Sequence, residues 1–246
     1  MKIALIGYGK MGKMIHEMAK NLSFDVVSII DPFVIDCATE INLETLNNAE
    51  VCIEFSHPSA VLDNITQICQ CKTNLVVGTT GWGDKLPAIR DIVSENDVGM
   101  IYGANLSIGM NLFYEIVNKT AEILANYPEY DAFGLELHHK QKADCPSGTA
   151  KELSKILLSK LKSKEMPVYD KLDRKVASNE LHFASVRAGF IPGTHTVGFD
   201  SEADTIELTH RVRNRSGFAL GALKAAQWIA GKKGLYTFSD YVRDNI

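Results

Sequence analysis

The stretch Met1-Lys2-Ile3-Ala4-Leu5-Ile6-Gly7-Tyr8-Gly9-Lys10-Met11-Gly12 decides the fold. Lys2 to Ile6 is a short apolar run of residues that favour strands. It leads straight into a G-x-G-x-x-G, Gly7 to Gly12. A helix-like stretch follows, with Met14, Met18 and Leu22 on one side. Phe24 to Ile30 is a second apolar run, and it ends at Asp31. Strand, glycine loop, helix, strand and acidic residue stand in the order of a dinucleotide-binding βαβ unit. Gly7 allows the tight turn, Gly9 lets a pyrophosphate approach the backbone, and Gly12 lets helix and strand pack closely.

Asp31 bears on the cofactor. A carboxylate there accepts hydrogen bonds from an adenosine ribose and repels a 2′-phosphate. Pro32, not a basic residue, follows it, while Lys10 and Lys13 offer positive charge nearby. The residues lean to NADH and leave NADPH open as a second cofactor.

Outward from this unit the alternation continues. Val51 to Phe55, Asn74 to Val77 and Gly99 to Tyr102 read as strands, and Ser59 to Cys69 and Asp84 to Glu95 as helices. Pro32 to Asn48 reads as irregular. Apolar strands alternating with helices predict a parallel sheet with helices on both faces. Ser56, Thr79, Thr80 and Asn105 gather after the strands, where open α/β sheets bind ligands.

The pattern changes at Ile108. Gly109 to Asn126 is a long helix, Phe133 to Leu137 a strand and Ala150 to Lys162 a helix. Ser163 to Ser178 is polar and lysine-rich, with Pro167, and reads as an exposed excursion. Leu181 to Ala188, Gly193 to Phe199 and Thr205 to Val212 read as strands. Ser216 to Gly231 is a final helix that returns to the first domain. The predicted fold class is α/β: a Rossmann-type parallel-sheet dinucleotide-binding domain, residues 1–106 and 216–246, plus an α+β domain, residues 107–215, with an open mixed sheet. Arg211, Arg213 and Arg215 alternate at the end of that domain, a pattern that a solvated strand face also produces.

Within the second domain one segment concentrates chemistry, His138-His139-Lys140-Gln141-Lys142-Ala143-Asp144-Cys145-Pro146-Ser147-Gly148-Thr149-Ala150. It joins a strand end to a helix start, so imidazoles, a lysine and free backbone N–H groups share one place. A small anionic substrate needs that combination. Thr149 followed by Glu152 fits a capping box. A histidine with an ordinary pKa of ~6.5 delivers a proton at neutral pH.

Composition excludes other classes. Net charge is −4 over 246 residues, which gives no basic footprint for nucleic acid or an anionic membrane. No apolar run approaches a membrane span, and the short N-terminal run reads as a strand rather than a signal peptide. Five cysteines, Cys37, Cys52, Cys69, Cys71 and Cys145, include no Cys-x-x-Cys, so a reducing cytosol is expected and neither a disulfide framework nor a zinc ribbon is. Cys145 reads as a loop cysteine rather than a nucleophile. His138, His139 and Cys145 make a poor zinc set, because neighbouring strand residues point to opposite faces; no metal is expected.

The run His138-His139-x-x-Lys142-x-Asp144-x-Pro146-Ser147-Gly148-Thr149-Ala150 resembles the signature of the dihydrodipicolinate reductases, also called 4-hydroxy-tetrahydrodipicolinate reductases. The glycine loop, Gly78-Thr79-Thr80-Gly81, Ala104-Asn105, Arg187-Ala188-Gly189 and Gly193-x-His195-Thr196 fit that family in order. The resemblance implies an NAD(P)H-dependent cytoplasmic oxidoreductase of lysine and diaminopimelate biosynthesis, a homotetramer formed through the second domain's sheet. It implies hydride transfer to C4 of a cyclic dicarboxylate with loss of water. It gives His138 the role of proton donor or acceptor and Lys142 that of proton donor. It places His139, Ser147, Gly148 and Thr149 around the substrate carboxylates. It places Gly7, Tyr8, Gly9, Lys10, Met11, Gly12, Asp31, Gly78, Thr79, Thr80, Gly103, Ala104, Asn105 and Leu106 on the cofactor. Two other readings compete: a different small-substrate dehydrogenase on the same scaffold, such as one like aspartate dehydrogenase, and a non-catalytic NAD(H)-binding regulator. The signature run speaks against the first, and the presence of His138 and Lys142 against the second.

Overall fold

Strand β1 (Lys2–Ile6) runs into helix α1 (Lys10–Ala19) and strand β2 (Asp25–Ile30) in a computed structural model that describes residues 1–246. Helix α2 (Leu43–Leu46), β3 (Val51–Glu54), α3 (Val61–Gln70), β4 (Asn74–Val77), a 3-10 turn (Gly83–Lys85), α4 (Leu86–Asn96) and β5 (Gly99–Tyr102) follow. Helix α5 (Ile108–Leu124) leads to β6 (Asp131–His138), α6 (Gly148–Lys160), β7 (Met166–Val168), β8 (Glu180–Arg187), β9 (Thr194–Asp200) and β10 (Thr205–Arg211). The chain closes with α7 (Ser216–Ile229), β11 (Gly234–Thr237) and α8 (Phe238–Arg243). It divides into two units, Met1–Asn111 with Ser216–Ile246, and Leu112–Arg215.

Unit 1 holds a six-stranded sheet in the order β11-β5-β4-β3-β1-β2, with every pair parallel. Strands buried on both faces need near-continuous apolar runs, which explains Ile3 to Ile6, Val51 to Ile53 and Leu75 to Val77. On one face Ala4, Ile6, Cys52, Leu75, Val77 and Met100 pack with Val61, Ile65, Ile89 and Val93 from α3 and α4. The alternate residues Ile3, Leu5, Ile53, Val76 and Ile101 are equally buried. Helices α1 and α7 pack on each other, with α1 against β1 and α7 against β3 to β5. The buried side of α1 carries Ile15 and Ala19, with Met14 and Met18 only half-buried, one position off the sequence expectation.

Further differences from the sequence reading fall in this unit. The stretch 32–48 is not wholly irregular, because Asn42 caps α2 through a capping box with Thr45. Strand β11 was not expected: Gly234 to Thr237 are all half-buried at the sheet edge and lack an apolar run.

Unit 2 holds a five-stranded mixed sheet, β10-β9-β6-β8-β7. β6 is antiparallel to β9 and parallel to β8. β6 alternates strictly: Ala132, Gly134, Glu136 and His138 are buried, while Phe133, Leu135 and Leu137 on the opposite face are only half-buried. A charged residue and a histidine therefore sit on the buried face of a central strand. The segment 163–178 is largely exposed, as expected, but it is tied down. Lys164 is buried and donates to the carbonyls of Ser178 and Glu180, both at 2.9 Å. Arg174 grips Glu180 with two hydrogen bonds of 2.8 and 2.6 Å, and β7 pairs with β8.

Candidate active site

In unit 1 the strand order reverses at β1, with β2 on one side and β3 on the other. The loops beyond the strands' carboxyl ends there form the crevice in which such sheets bind ligands. Gly7 has φ +90°, and a Cβ on it would strike the Phe55 carbonyl. A Cβ at Gly12 would collide with the Gly7 carbonyl, so the helix start lies directly against the turn. At Gly9 a Cβ would meet nothing, so the backbone there faces open space.

That space is a groove of about 400 Å³ lined by Gly9, Lys10, Met11, Phe55, Ser56, Pro58, Gly78, Thr79 and Thr80. Asp31 lies at the end of β2: its Oδ2 accepts from Tyr8 N at 2.7 Å and its Oδ1 from Phe33 N at 2.9 Å. The carboxylate thus holds the glycine loop, and each oxygen keeps a lone pair for a ribose hydroxyl. Gly103 to Leu106 follow β5 and are not among the groove's lining; Leu106 is buried.

Under the groove lies Glu54, fully buried at the end of β3. Its Oε1 accepts from Ser56 N and from Asn64 Nδ2, each at 3.2 Å, and closely from Ser56 Oγ. Ser56 N also donates to Thr79 Oγ1 at 2.9 Å. Burial pushes the Glu54 carboxyl up, against hydrogen bonds from Ser56, Thr79 and Asn64 that lower it.

In unit 2 the site grows from Glu136 and His138, two residues apart on β6 and so on one face. Glu136 is completely buried. Its Oε1 accepts from Ser147 N at 3.0 Å, Ser185 Oγ at 2.8 Å and Arg187 Nη2 at 2.7 Å. Its Oε2 lies 3.4 Å from His138 Nδ1 and 3.4 Å from His195 Nε2. Burial raises the Glu136 carboxyl, but the polar groups of His195, Ser147, Arg187 and Ser185 around it outweigh that and hold it well below the carboxylate range. Arg187 Nη2 also donates to the Asp144 carbonyl at 2.8 Å, fixing the loop after β6. Glu136, His138 and His195 present three donor atoms within 4.8 Å of one another. The Arg187 guanidinium on the same carboxylate opposes a further cation there. This cluster differs from the His138, His139 and Cys145 set weighed on sequence; Cys145 is an exposed free thiol.

His138 departs from the ordinary histidine assumed on sequence. Burial pushes its pKa down to about 4; Glu136 pulls it back, and His195, Lys142 and Arg187 push it lower still. The imidazole of the ligand-free chain is therefore neutral at pH 7. Lys142 pairs with Asp144 Oδ1 at 2.7 Å.

The helix cap is also corrected. Helix α6 begins at Gly148, and Ser147 is its N-cap, accepting from Ala150 N at 3.1 Å. Thr149 is inside the first turn, and Glu152 pairs with Lys155 instead of closing a capping box. Ser147 is buried, and its hydroxyl also meets His195 Nε2 at 3.3 Å. The first N–H groups of α6, on Gly148 and Thr149, have no intrahelical acceptor and suit an anion. His139 is half-buried just past the strand. Glu136, Ser185, Arg187 and His195 carried no role on sequence. The signal for Glu136 was a carboxylate two positions before His138 in an otherwise apolar strand.

Known proteins identify the family of the chain. The family described as dihydrodipicolinate reductase, N-terminus, matches residues 1–106, and its C-terminus counterpart matches residues 109–242. A 4-hydroxy-tetrahydrodipicolinate reductase from Christiangramia forsetii is 38% identical over 249 residues, covering 99% of this chain and 98% of the relative. The enzyme of that name from Buchnera aphidicola subsp. Schizaphis graminum is 34% identical over 270 residues, covering 99% and 97%. A dipicolinate-bound dihydrodipicolinate reductase from Paenisporosarcina sp. TG-14 has the same fold, with a TM-score of 0.77 at 22% identity over 97% of this chain and 98% of that one. With both halves of the chain matched and relatives above 30% identity along its whole length, the protein belongs to the dihydrodipicolinate reductase family.

Proposed function

We propose that this chain reduces 4-hydroxy-tetrahydrodipicolinate to tetrahydrodipicolinate, consuming one NAD(P)H and one proton and releasing water, in lysine and diaminopimelate biosynthesis. The observation that carries the reading is the convergence in unit 2 of His138, Lys142 and the free N–H groups of α6 on one strand–loop–helix segment. Those groups answer to a dianion that must also be protonated.

A reduced nicotinamide, when bound, supplies the hydride. Unit 1 is its domain. The backbone from Gly7 to Gly12, with Lys10 and with Thr79 and Thr80 across the groove, holds the phosphates. Asp31 takes the adenosine ribose, and Gly78 and the segment Gly103 to Leu106 complete the cofactor loops. Pro32 and Phe33 add no cation beside Asp31, so NADH is the favoured cofactor, with NADPH also used.

Unit 2 is the substrate domain. The N–H groups of Gly148 and Thr149 accept one carboxylate, with Ser147 setting their direction, and His139 and Lys142 attend the rest of the dicarboxylate. Lys142 leaves Asp144 to meet the substrate and acts as a proton donor. His138 is neutral before binding. A bound dianion beside it favours the imidazolium, so it takes a proton as substrate arrives and holds it at the ring edge for the reduced product. The assembly is a cytoplasmic homotetramer built through the unit 2 sheet. Its support is the sheet's open face, where Phe133, Leu135 and Leu137 are half-buried and Val186 is exposed. No helix is long and apolar enough to cross a membrane.

The test is a coupled assay. Aspartate semialdehyde, pyruvate and a dihydrodipicolinate synthase generate the substrate in place, and oxidation of NADH and NADPH is followed separately. Synthase-dependent oxidation, faster with NADH, is the expected result. Folded protein that binds NADH yet oxidises neither cofactor overturns the reading.

A further inference from the structure

The buried face of the unit 2 sheet carries more polar chemistry than proton donation by one histidine requires. Glu136 is fully enclosed, and its two oxygens are used unequally. Oε1 is saturated by three donors, Ser147 N, Ser185 Oγ and Arg187 Nη2. Oε2 has no hydrogen-bond partner, and neither has His138 Nδ1, yet the two lie 3.4 Å apart. Buried polar atoms left unpaired cost free energy, and a mutual orphan pair at that distance closes with a small ring rotation. The other edge of the imidazole faces Gly193, where a Cβ would come within 3.2 Å of Nε2; its φ of +149° suits glycine.

We propose that Glu136 is the positioning residue for His138: it fixes the tautomer with the proton on Nδ1, so that Nε2 is the atom that takes up and releases the catalytic proton. This rests on the reading of His138 as the proton-transferring group.

Three features give the arrangement its direction. Arg187, Ser185 and Ser147 hold the carboxylate from the far side, so it cannot swing away from the ring. His195 Nε2 lies 3.4 Å from the same Oε2, and its ring packs edge-on to His138 with centroids 5.1 Å apart, walling the imidazole in place. Ser147 links the carboxylate to the cap of α6, so the residue that orients the proton carrier also sets the N–H groups offered to the substrate. A carboxylate that orients a histidine in this way acts on turnover through the tautomer, without itself accepting the proton.

The first test needs no variant. ¹⁵N NMR of the full chain at neutral pH, with the His138 signals assigned by their loss in His138→Gln, reports which ring nitrogen is protonated. Protonated Nδ1 and bare Nε2 are expected. The opposite tautomer overturns the proposal, whether or not the chain reduces the proposed substrate. The second test is kinetic. Glu136→Gln is expected to lower kcat about 100-fold with KM within about twofold, and Glu136→Asp to recover about tenfold of the loss. Unchanged kcat in a folded Glu136→Gln, or a rise in KM alone, overturns the proposal. Should that variant fail to fold, the tautomer measurement decides.

Discussion

Arg187 donates one nitrogen, Nη2, to both Glu136 Oε1 and the Asp144 carbonyl, at 2.7 and 2.8 Å. The end of β8 is thereby joined to the central strand and to the loop that carries Lys142. The carboxylate is fully buried and the Arg187 side chain is 17% exposed. Removing one partner of such a pair leaves an uncompensated charge. Arg187→Ala should destabilise the chain by about 3 kcal/mol, read from urea unfolding midpoints. A change below about 1 kcal/mol would mean that Ser185 and Ser147 alone satisfy Glu136.

His138→Ala and Lys142→Ala should separate by their kinetics. The first removes the proton carrier from unit 2 and leaves the unit 1 groove untouched. Turnover falls by about 100-fold or more while NADH affinity holds. The second removes a charge as well as a donor, so KM rises and kcat falls together. A His138→Ala enzyme with normal turnover, or Lys142→Ala kinetics equal to the parent's, would remove those roles.

Asp31 offers both oxygens to backbone N–H groups, and each keeps a lone pair for the ribose proposed above. Asp31→Ala should weaken NADH more than NADPH, because it deletes a ribose acceptor and relieves repulsion of a 2′-phosphate. Titration of both cofactors into the variant checks this. Equal losses would show that the carboxylate serves only the glycine loop.

Stability should depend on pH with opposite signs in the two units. Burial depresses His138 from 6.5 to about 4, so below 6.5 the unfolded chain binds a proton that the folded chain refuses. The contribution is whole above about 6.5 and is lost as pH falls towards about 4, up to about 3 kcal/mol in all. His210, lowered by burial and by His195, acts with the same sign. Glu136, lowered by its donors, adds a further loss once pH drops below 4.5. Glu54 is raised from 4.5 by burial, so its contribution is present below 4.5 and lost as pH rises through its folded value. Denaturation followed between pH 4.5 and 7.5 should show unit 2 weakening first on acidification. A profile flat between pH 5 and 6.5 would contradict the His138 shift.

The parallel sheet was legible because its signals are local. Gly7 must turn, Gly12 must touch the Gly7 carbonyl, and the apolar runs are short and bounded. The α6 cap was not legible. Ser147 and Thr149 are both good caps, and what selects Ser147 is Glu136, eleven positions back in the chain and across the loop. Glu136 itself looked like a stray charge in a strand, since its partners come from three separate segments: Ser147 at the α6 cap, Ser185 and Arg187 on β8, and His195 on β9. The depressed pKa of His138 comes from burial, which a loop-edge histidine does not advertise. β11 was missed because Gly234 to Thr237 succeed by pairing with β5, not by pattern.

That last strand has a consequence for how the protein is made. Unit 1 is encoded in two pieces, with all of unit 2 between them. On the ribosome β1 to β5 emerge early, but α7, which packs on β3 to β5, and β11, which pairs with β5, arrive only after the whole of unit 2. Until then a nascent chain displays an uncovered apolar sheet with a bare edge, while the contiguous unit 2 emerges whole. A message cut short before Gly234 therefore yields a client for chaperones and proteases, not a half-active enzyme.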